Sequence, residues 1–270
     1  MTHTSMSPAC DCHIHVFDRD REYIKATYQP PRKSIGHFME EAAVSDIRRA
    51  VLIQASIDGT DNHYLLETLR QARLPTSPLE LRGVVMIDEH TSGLEAMREA
   101  GVRGIRIQDR TRLGQHDLAR LPELAARAAA LDWHVELNTE PERYDVLAAL
   151  LPTLPEGQTI VLDHFGHVTP GHSDELTRLC RLLDTGRVWI KLAPTRVSQQ
   201  PGRYDDLIEL TRHLAERYRE CCLWGSDWPH VMTPSPIPGS LDMIEFLERA
   251  LSSPQRQACL RDNPERLYRF

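Results

Sequence analysis

The alternation of short apolar segments with longer amphipathic segments is the sequence feature that most limits the fold. Eight apolar segments recur along the chain, and each is separated from the next by enough residues for a helix. Most of the eight lack a strict apolar–polar alternation, which is typical of strands buried on both faces. We therefore predict eight buried strands, at residues 9–17, 50–56, 81–87, 102–108, 133–139, 159–165, 187–193 and 221–227.

The segments between these strands carry apolar residues at helical spacing, most clearly at 62–73, 117–132, 173–184 and 203–218. Eight strand–helix units in series predict a parallel sheet closed as a (β/α)8 TIM barrel, in one domain over residues 1–270. An open doubly wound sheet is the alternative, but the sequence contains neither a G-x-G-x-x-G nor a Walker motif. The proline-containing segment 231–240 is predicted to be a loop at the barrel mouth, and the segment 18–35 is predicted to be a loop that covers the first strand.

Composition limits the classes of partner. The net charge of -7 argues against a sequence-independent grip on nucleic acid, although a local arginine cluster could still bind a small anion. The six cysteines lack the paired C-x2-C spacing of a structural zinc site, and we expect reduced thiols in a cytoplasmic protein. No apolar stretch approaches the length of a membrane span, and the N-terminus does not resemble a secretory signal.

Polar residues at the carboxyl ends of three predicted strands are the candidates for catalysis. The first strand ends in His13-Ile-His15, and residues two apart in a strand point to the same side. The sixth strand ends in Asp163-His164, of which we expect His164 to point inward and Asp163 to orient a neighbour. The eighth strand ends in Asp227, held between a Gly-Ser turn and a proline. Because active sites of such barrels lie at these strand ends, the four side chains are predicted to converge.

Three histidines and one aspartate allow two kinds of chemistry. They can bind a divalent metal that activates water, in which case His13, His15 and Asp227 are the expected ligands. Alternatively, Asp227 acts as a general base without a metal while the histidines donate hydrogen bonds to a carbonyl oxygen. The fifth strand ends without a histidine, although Glu136 or Asn138 could fill a metal-binding role there. No cofactor is expected, but zinc or manganese stays open.

Arginines near the predicted mouth indicate an acidic substrate. Arg106 lies inside an apolar strand, so its charge must face an anionic group. Arg196 follows the seventh strand, and guanidinium groups bind carboxylates through two hydrogen bonds. Arg103 and Arg112 are expected at the surface, whereas His167 and His230 could add hydrogen-bond donors.

The stretches DCHIHVFD, VLIQASIDGTDN, RGVVMID, GVRGIRI, VLDHFGH, WIKLA, WGSDWPH and NPERLYRF cover nearly the whole chain. In these stretches the sequence resembles the amidohydrolase superfamily, in particular the branch that contains the 2-pyrone-4,6-dicarboxylate lactonases. The resemblance implies a distorted barrel in which a strand-eight aspartate activates water without a metal.

By the same resemblance, Asp227 is the base, while His13, His15 and His164 polarise the scissile carbonyl. The residues implied to bind substrate are Arg106, Arg110 or Arg112, Arg196, Ser56 and His230. Two positions depart from the pattern, since Ser34 stands where an aromatic residue is expected and His167 where an arginine is expected. Both departures weaken the dicarboxylate assignment and leave lactone hydrolysis intact.

The leading hypothesis is a hydrolase that opens a small anionic lactone such as 2-pyrone-4,6-dicarboxylate. The first alternative keeps the fold but uses zinc or manganese to hydrolyse a sugar lactone or to decarboxylate a related acid. The second alternative is a non-catalytic barrel that binds an anionic metabolite. A homo-oligomer is compatible with the sequence, whereas a nucleic-acid or membrane partner is not expected.

Overall fold

The computed structural model describes residues 7–17, 28–111 and 114–270, and these contain eight strands in one sheet. Each strand pairs in parallel with the next, so the order in the sheet follows the chain. The strands are β1 (Ala9–Ile14), β2 (Ile47–Ile53), β3 (Glu80–Val85), β4 (Val102–Asp109), β5 (His134–Thr139), β6 (Ile160–Leu162), β7 (Val188–Leu192) and β8 (Cys222–Trp224).

Ten α-helices occur in the described part of the chain, one after each of the first seven strands and three after β8. The apolar faces of the first eight pack on the outside of the sheet and form the main core with its outward-facing side chains. The helices are α1 (Ile35–Val44), α2 (His63–Ala72), α3 (Leu94–Ala100), α4 (Leu121–Ala129), α5 (Tyr144–Leu150), α6 (Ser173–Leu183), α7 (Ile208–Arg217), α8 (Ser240–Ala250), α9 (Ser253–Gln257) and α10 (Asn263–Tyr268).

The sheet closes between β1 and the turn that follows β8. The amide of Asp227 donates to the carbonyl of His13 at 2.9 Å, and the amide of His15 donates to the carbonyl of Trp228 at 2.8 Å. These backbone bonds take the place of a regular ladder, so the barrel is distorted at this seam. The predicted (β/α)8 barrel is thereby confirmed.

Two residues allow the seam to close tightly. A Cβ on Gly225 would lie 2.6 Å from Cβ of His13, so only glycine permits this approach of the two chains. The Asp11 carboxyl accepts from the amides of His13 (3.1 Å) and Ser226 (2.9 Å) through one oxygen, and so joins β1 to the turn after β8. Burial raises the pKa of Asp11 to about 6. The seam therefore fixes the backbone that carries His13 and Asp227.

The inside of the barrel changes from apolar to charged along its axis. Alternate residues of a strand face the interior, and on β4, β5 and β7 these include Arg106, Glu136 and Lys191, all buried. A separate apolar cluster fills the barrel beside them, formed by Cys10, Cys12, Val51, Ile53, Val84, Val161, Trp189, Leu223 and Tyr268. All six cysteines are unpaired and five of them are buried, as expected for reduced core thiols.

Several predicted strands extend further than the observed ones. The prediction of 159–165 is wrong beyond Leu162, because His164 and Phe165 have φ angles of 49° and 53°. The prediction of 221–227 is wrong beyond Trp224, and Asp227 has a φ of 62°. Left-handed backbone cannot continue a strand. His164 and Asp227 therefore project from turns just above the sheet rather than from strands.

The loop predicted at 231–240 is confirmed up to Gly239, since α8 begins at Ser240. Of the loop predicted at 18–35, residues 18–27 lie outside the described residues, and Ile35 already belongs to α1. Among the helices of the described residues, none combines the length and the apolar character that a membrane span requires.

Candidate active site

A cavity of about 410 Å³ opens at the carboxyl ends of the strands, where barrels of this kind carry their catalytic groups. The loop after β8 contributes Val231, Met232 and Pro234 to its wall. Seven of the residues predicted from the sequence line the cavity, namely His15, Ser56, Arg106, Arg110, His164, Arg196 and Asp227. Asn138, named from the sequence for a possible metal-binding role, is an eighth, and the polar lining residues without a predicted role are Tyr28, Gln108, Gln115, Thr195 and Ser198.

Asp227 is a buried carboxylate whose two oxygens have different surroundings. Oδ2 accepts from Nε of Arg196 at 2.6 Å and from the Thr195 hydroxyl at 3.2 Å. Oδ1 receives no hydrogen bond from the described residues, although Nε2 of His15 and of His13 lie 3.6 and 3.8 Å away. Burial alone would raise the pKa of Asp227, but the Arg196 guanidinium holds it well below its usual range. Asp227 is therefore ionised at neutral pH.

The two histidines of β1 lie one above the other. His15 lines the cavity, and its Nδ1 lies 2.8 Å from the carbonyl oxygen of Ile53. His13 does not line the cavity; it is fully buried below His15, with the two Nε2 atoms 3.2 Å apart. Burial, and then the charge of Lys191, lower the pKa of His13 to about 3. The expectation that both rings face the cavity is therefore met by His15 alone.

A layer of buried charges supports His13 from below. Lys191 Nζ lies 2.5 Å from Oε2 of Glu136, 3.4 Å from Oδ1 of Asp163 and 3.2 Å from Nδ1 of His13. The guanidinium of Arg106 donates to Oδ2 of Asp163 through Nε (3.1 Å) and one terminal nitrogen (3.0 Å). Burial would raise the pKa of Asp163, but Lys191 and the other neighbouring cations hold it well below its usual range. The neighbour that Asp163 orients through hydrogen bonds is thus Arg106.

The buried charge of Arg106 is neutralised by a partner within the protein. Because Asp163 neutralises it, its burial alone does not require an anionic substrate, as the sequence had suggested. Arg110 is similarly paired with Glu140 at 2.9 Å and contacts His167. Arg106 and Arg110 nevertheless line the cavity and can donate to a ligand from there. Arg112 lies outside the described residues.

His164 projects into the cavity from the turn after β6. Burial lowers the pKa of His164 well below its usual range, so its ring is neutral at neutral pH and can donate one hydrogen bond. The remaining predicted histidines lie elsewhere. His167 lines a neighbouring cavity of about 330 Å³ beside Arg110. His230 is buried behind Asp227, to whose carbonyl its amide donates at 2.8 Å.

The sequence model of the amidohydrolase family matches residues 10–270. This chain belongs to the amidohydrolase family. A 2-pyrone-4,6-dicarboxylate hydrolase of Comamonas testosteroni is 30% identical to it, over 96% of this chain and 90% of that protein. A 4-sulfomuconolactone hydrolase of Rhizobium radiobacter is 29% identical, over 96% of this chain and 89% of that protein.

Solved structures agree with this amidohydrolase assignment. A structure from Acinetobacter baumannii, described as a "probable 2-pyrone-4,6-dicarboxylic acid hydrolase" with citric acid bound, superposes with a TM-score of 0.84. It is 25% identical and covers 97% of this chain and all of its own. The predicted family and the predicted enzyme class, a hydrolase, are confirmed.

Divalent metals are common in the amidohydrolase family, and two groups of residues bring three ligand atoms close together. They are His13, Asp163 and His164 in one group and His13, His15 and Asp227 in the other. Both groups share His13, whose Nδ1 faces the donor-only ammonium of Lys191. Both carboxylates already bind a cation, Arg106 in one case and Arg196 in the other. A divalent cation would meet repulsion from these neighbouring cations in either place, which opposes metal binding there.

Lys191 is the main site residue that the sequence prediction left without a role. Its signal was present, since a lysine in the apolar strand WIKLA must have an anionic partner when buried. Gln108 could not be recognised in this way, because isolated polar residues near strand ends are common. Along the sequence, Tyr28 lies far from any strand end, in the segment before α1. Thr195 could be found only through its contact with Asp227, which depends on the shape of the loop after β7.

Proposed function

We propose that this chain hydrolyses a small anionic lactone of the 2-pyrone-4,6-dicarboxylate kind, without a bound metal. The observation that carries the proposal is a buried, ionised carboxylate, Asp227, in one cavity with three guanidinium groups, those of Arg106, Arg110 and Arg196. The carboxylate supplies a base, and the guanidinium groups complement acidic substituents. The names of two relatives, a dicarboxylate hydrolase and a sulfomuconolactone hydrolase, point to the same class of substrate.

The two oxygens of Asp227 have different roles in this mechanism. Arg196 and Thr195 hold Oδ2 and fix the plane of the carboxylate. Oδ1 is left to accept the proton of a water molecule as the water oxygen attacks the lactone carbonyl carbon. The tetrahedral intermediate then collapses with cleavage of the ring C–O bond, and the proton passes from Asp227 to the departing ring oxygen.

Negative charge develops on the carbonyl oxygen during attack and requires a donor. His164, a neutral ring on the cavity wall, and the guanidinium of Arg106 are the groups that we assign to it. His13 and His15 were also proposed for this role from the sequence. His13, however, lies behind His15 and supports the site from below, and the ring of His15 donates from Nδ1 to the carbonyl of Ile53. Arg110 and Arg196 are assigned to acidic groups of the substrate.

The loss of ring ultraviolet absorbance from 2-pyrone-4,6-dicarboxylate tests the proposal directly. We expect turnover by the wild type that a strong chelator does not reduce. Asp227→Asn removes the base but keeps the shape of the side chain, and kcat/KM should fall about 10²- to 10⁴-fold. Asp145→Asn, on the exposed face of α5, is the matched control and should retain wild-type turnover.

Three outcomes would change the proposal in different ways. Full turnover by Asp227→Asn would reject Asp227 as the base. Turnover that is lost with the chelator and restored by zinc or manganese would favour the metal-dependent alternative. Absence of turnover with 2-pyrone-4,6-dicarboxylate, a sulfonated muconolactone and a sugar lactone alike would reject lactone hydrolysis.

A further inference from the structure

Lys191 lies at the centre of the barrel, fully buried, below the histidine pair. Its ammonium pairs with Glu136 at 2.5 Å, and the hydroxyl of Tyr268 donates to the other oxygen of Glu136 at 2.9 Å. The same Nζ atom also lies 3.2 Å from Nδ1 of His13. Lys191 therefore connects a buried carboxylate to the residues around Asp227, although it does not reach the cavity itself.

The contacts at the two ends of the histidine pair determine where its protons lie. An ammonium only donates, so Nδ1 of His13 accepts from Lys191 and the ring proton of His13 is on Nε2. At the other end, the carbonyl of Ile53 only accepts, so the proton of His15 is on Nδ1. The 3.2 Å contact between the two Nε2 atoms then has one proton, donated by His13 and accepted by His15.

Another arrangement would place the proton of His13 on Nδ1 and direct it to Asp163. Oδ1 of Asp163 lies 3.3 Å from that nitrogen, but the two atoms do not meet hydrogen-bond geometry, and Oδ1 has no hydrogen-bond partner among the described residues. A proton on Nδ1 would also point at the ammonium of Lys191. Lys191 is thus the group that selects between the two ring forms.

We propose that Lys191 is a positioning residue that sets the direction of a chain of hydrogen bonds. Lys191 donates to His13, His13 donates to His15, and His15 donates to the carbonyl of Ile53; we call this direction the proton order. This order leaves His15 without a proton on Nε2, the atom 3.6 Å from Oδ1 of Asp227. His15 therefore does not donate to Oδ1, and that oxygen keeps its full capacity to accept a proton from water. The same order removes the lone pair on Nε2 of His13 that a metal ion would need, because metal-binding histidines donate from their other nitrogen to an acceptor.

The inference adds Lys191 to the proposed site, and its meaning for the mechanism rests on the proposed function. The positions of the protons can nevertheless be measured without any substrate. Nitrogen-15 NMR of histidine-labelled wild-type protein distinguishes the two neutral ring forms. The signals of His13 are identified by their loss in His13→Gln. We expect the proton of His13 on Nε2 and that of His15 on Nδ1; a proton on Nδ1 of His13 overturns the proposal.

Removal of Lys191 should reverse the order. The double substitution Lys191→Met with Glu136→Gln removes both members of the buried pair, so no lone buried charge remains from it. We expect the proton of His13 to move to Nδ1, facing Asp163, and cobalt(II) to bind at least tenfold more tightly than to wild type, with visible absorption bands. Lys33→Met, at an exposed lysine, should change neither property.

The outcomes separate the two proposals. Unchanged ring forms and unchanged cobalt affinity in the double variant would refute the role of Lys191, whatever the lactone activity. If that variant does not fold, the wild-type spectrum still decides the proton order. Conversely, the expected spectra with no lactone turnover would leave the role of Lys191 in place and reject only the reaction.

Discussion

The substitution Gly225→Ala tests whether the closing seam of the barrel sets the position of the site. The added Cβ would lie 2.6 Å from Cβ of His13 and 3.0 Å from its backbone nitrogen. Carbon atoms in normal contact are about 3.5–4.0 Å apart, so one side of the seam must move by roughly 1 Å. Movement is opposed by the bond from the Asp227 amide to the His13 carbonyl. Overpacking of this kind costs about 1–3 kcal/mol of unfolding free energy.

Urea unfolding measures the cost, and turnover of a lactone by the folded protein measures the displacement. A shift of about 1 Å in His13 would misalign its contacts with Lys191 and His15, and displacements of this size can reduce turnover about 100-fold. Gly36→Ala is the control, because this glycine is exposed on α1 and its nearest added contact is the Ser34 hydroxyl at 3.6 Å. The control should be neutral or slightly stabilising.

The reasoning fails if Gly225→Ala unfolds at the same urea concentration as wild type and retains full turnover. Such a result would mean that the seam yields without strain and that it does not hold His13. Loss of stability with full turnover would separate the two claims. It would leave the packing argument intact and reject the link from the seam to the site.

The pH dependence of stability and the function of Arg196 can each be tested with one substitution. The unfolded chain protonates His13 near pH 6.5, whereas burial and Lys191 keep the folded pKa at about 3, so stability is lost as pH falls from about 6.5 to 3. Between pH 7 and 5 this loss is about 2 kcal/mol by urea unfolding, and His13→Gln should lack it; an equal loss in both proteins would contradict the assignment. Arg196→Met should raise the pKa of Asp227, move the acid limb of kcat/KM to higher pH and raise KM for a dicarboxylate lactone roughly tenfold or more. Arg203→Met, at an exposed arginine, should change neither, and an unchanged limb and KM in Arg196→Met would refute the role of that residue.

The fold was largely predictable because each strand–helix unit carries its own hydrophobic pattern. What the pattern could not predict is where β6 and β8 end. His164 and Asp227 follow apolar residues without interruption in the sequence, so the strands appeared to continue through them. Their left-handed backbone depends on the turns that the folded barrel imposes. Neither residue is a glycine, the residue type that would have indicated such a backbone conformation in the sequence.

Candidate site residues could be recognised one at a time, but their partners could not. Arg106 was rightly expected to face an anionic group, and the group was taken to be a substrate. The actual partner, Asp163, lies on the far side of β5 in the order of the sheet. Contacts across a barrel depend on its closure and register, which hydrophobic periodicity does not contain. The role of Lys191 could not be predicted for the same reason, because its partners also lie across the barrel.

The charges of the site suggest which cation meets the substrate. Arg106 pairs with Asp163, Lys191 with Glu136 and Arg196 with Asp227, so these three cations and three anions balance before any ligand binds. An anionic lactone therefore brings charge that one of the cations must leave its partner to neutralise. The Arg196 side chain is 22% exposed, against 5% for Arg106, 5% for Arg110 in its pair with Glu140, and none for Lys191.

A turn of Arg196 towards a substrate carboxylate would weaken its hold on Oδ2 of Asp227. Since Arg196 is the largest of the groups that lower the pKa of that carboxylate, its departure would make Asp227 a stronger base at the moment when substrate is present. A neutral lactone of the same shape would not draw Arg196 away, and Asp227 would stay the weaker base. The preference for an anionic substrate should then appear in kcat as well as in KM, which a purely binding role for Arg196 would not produce.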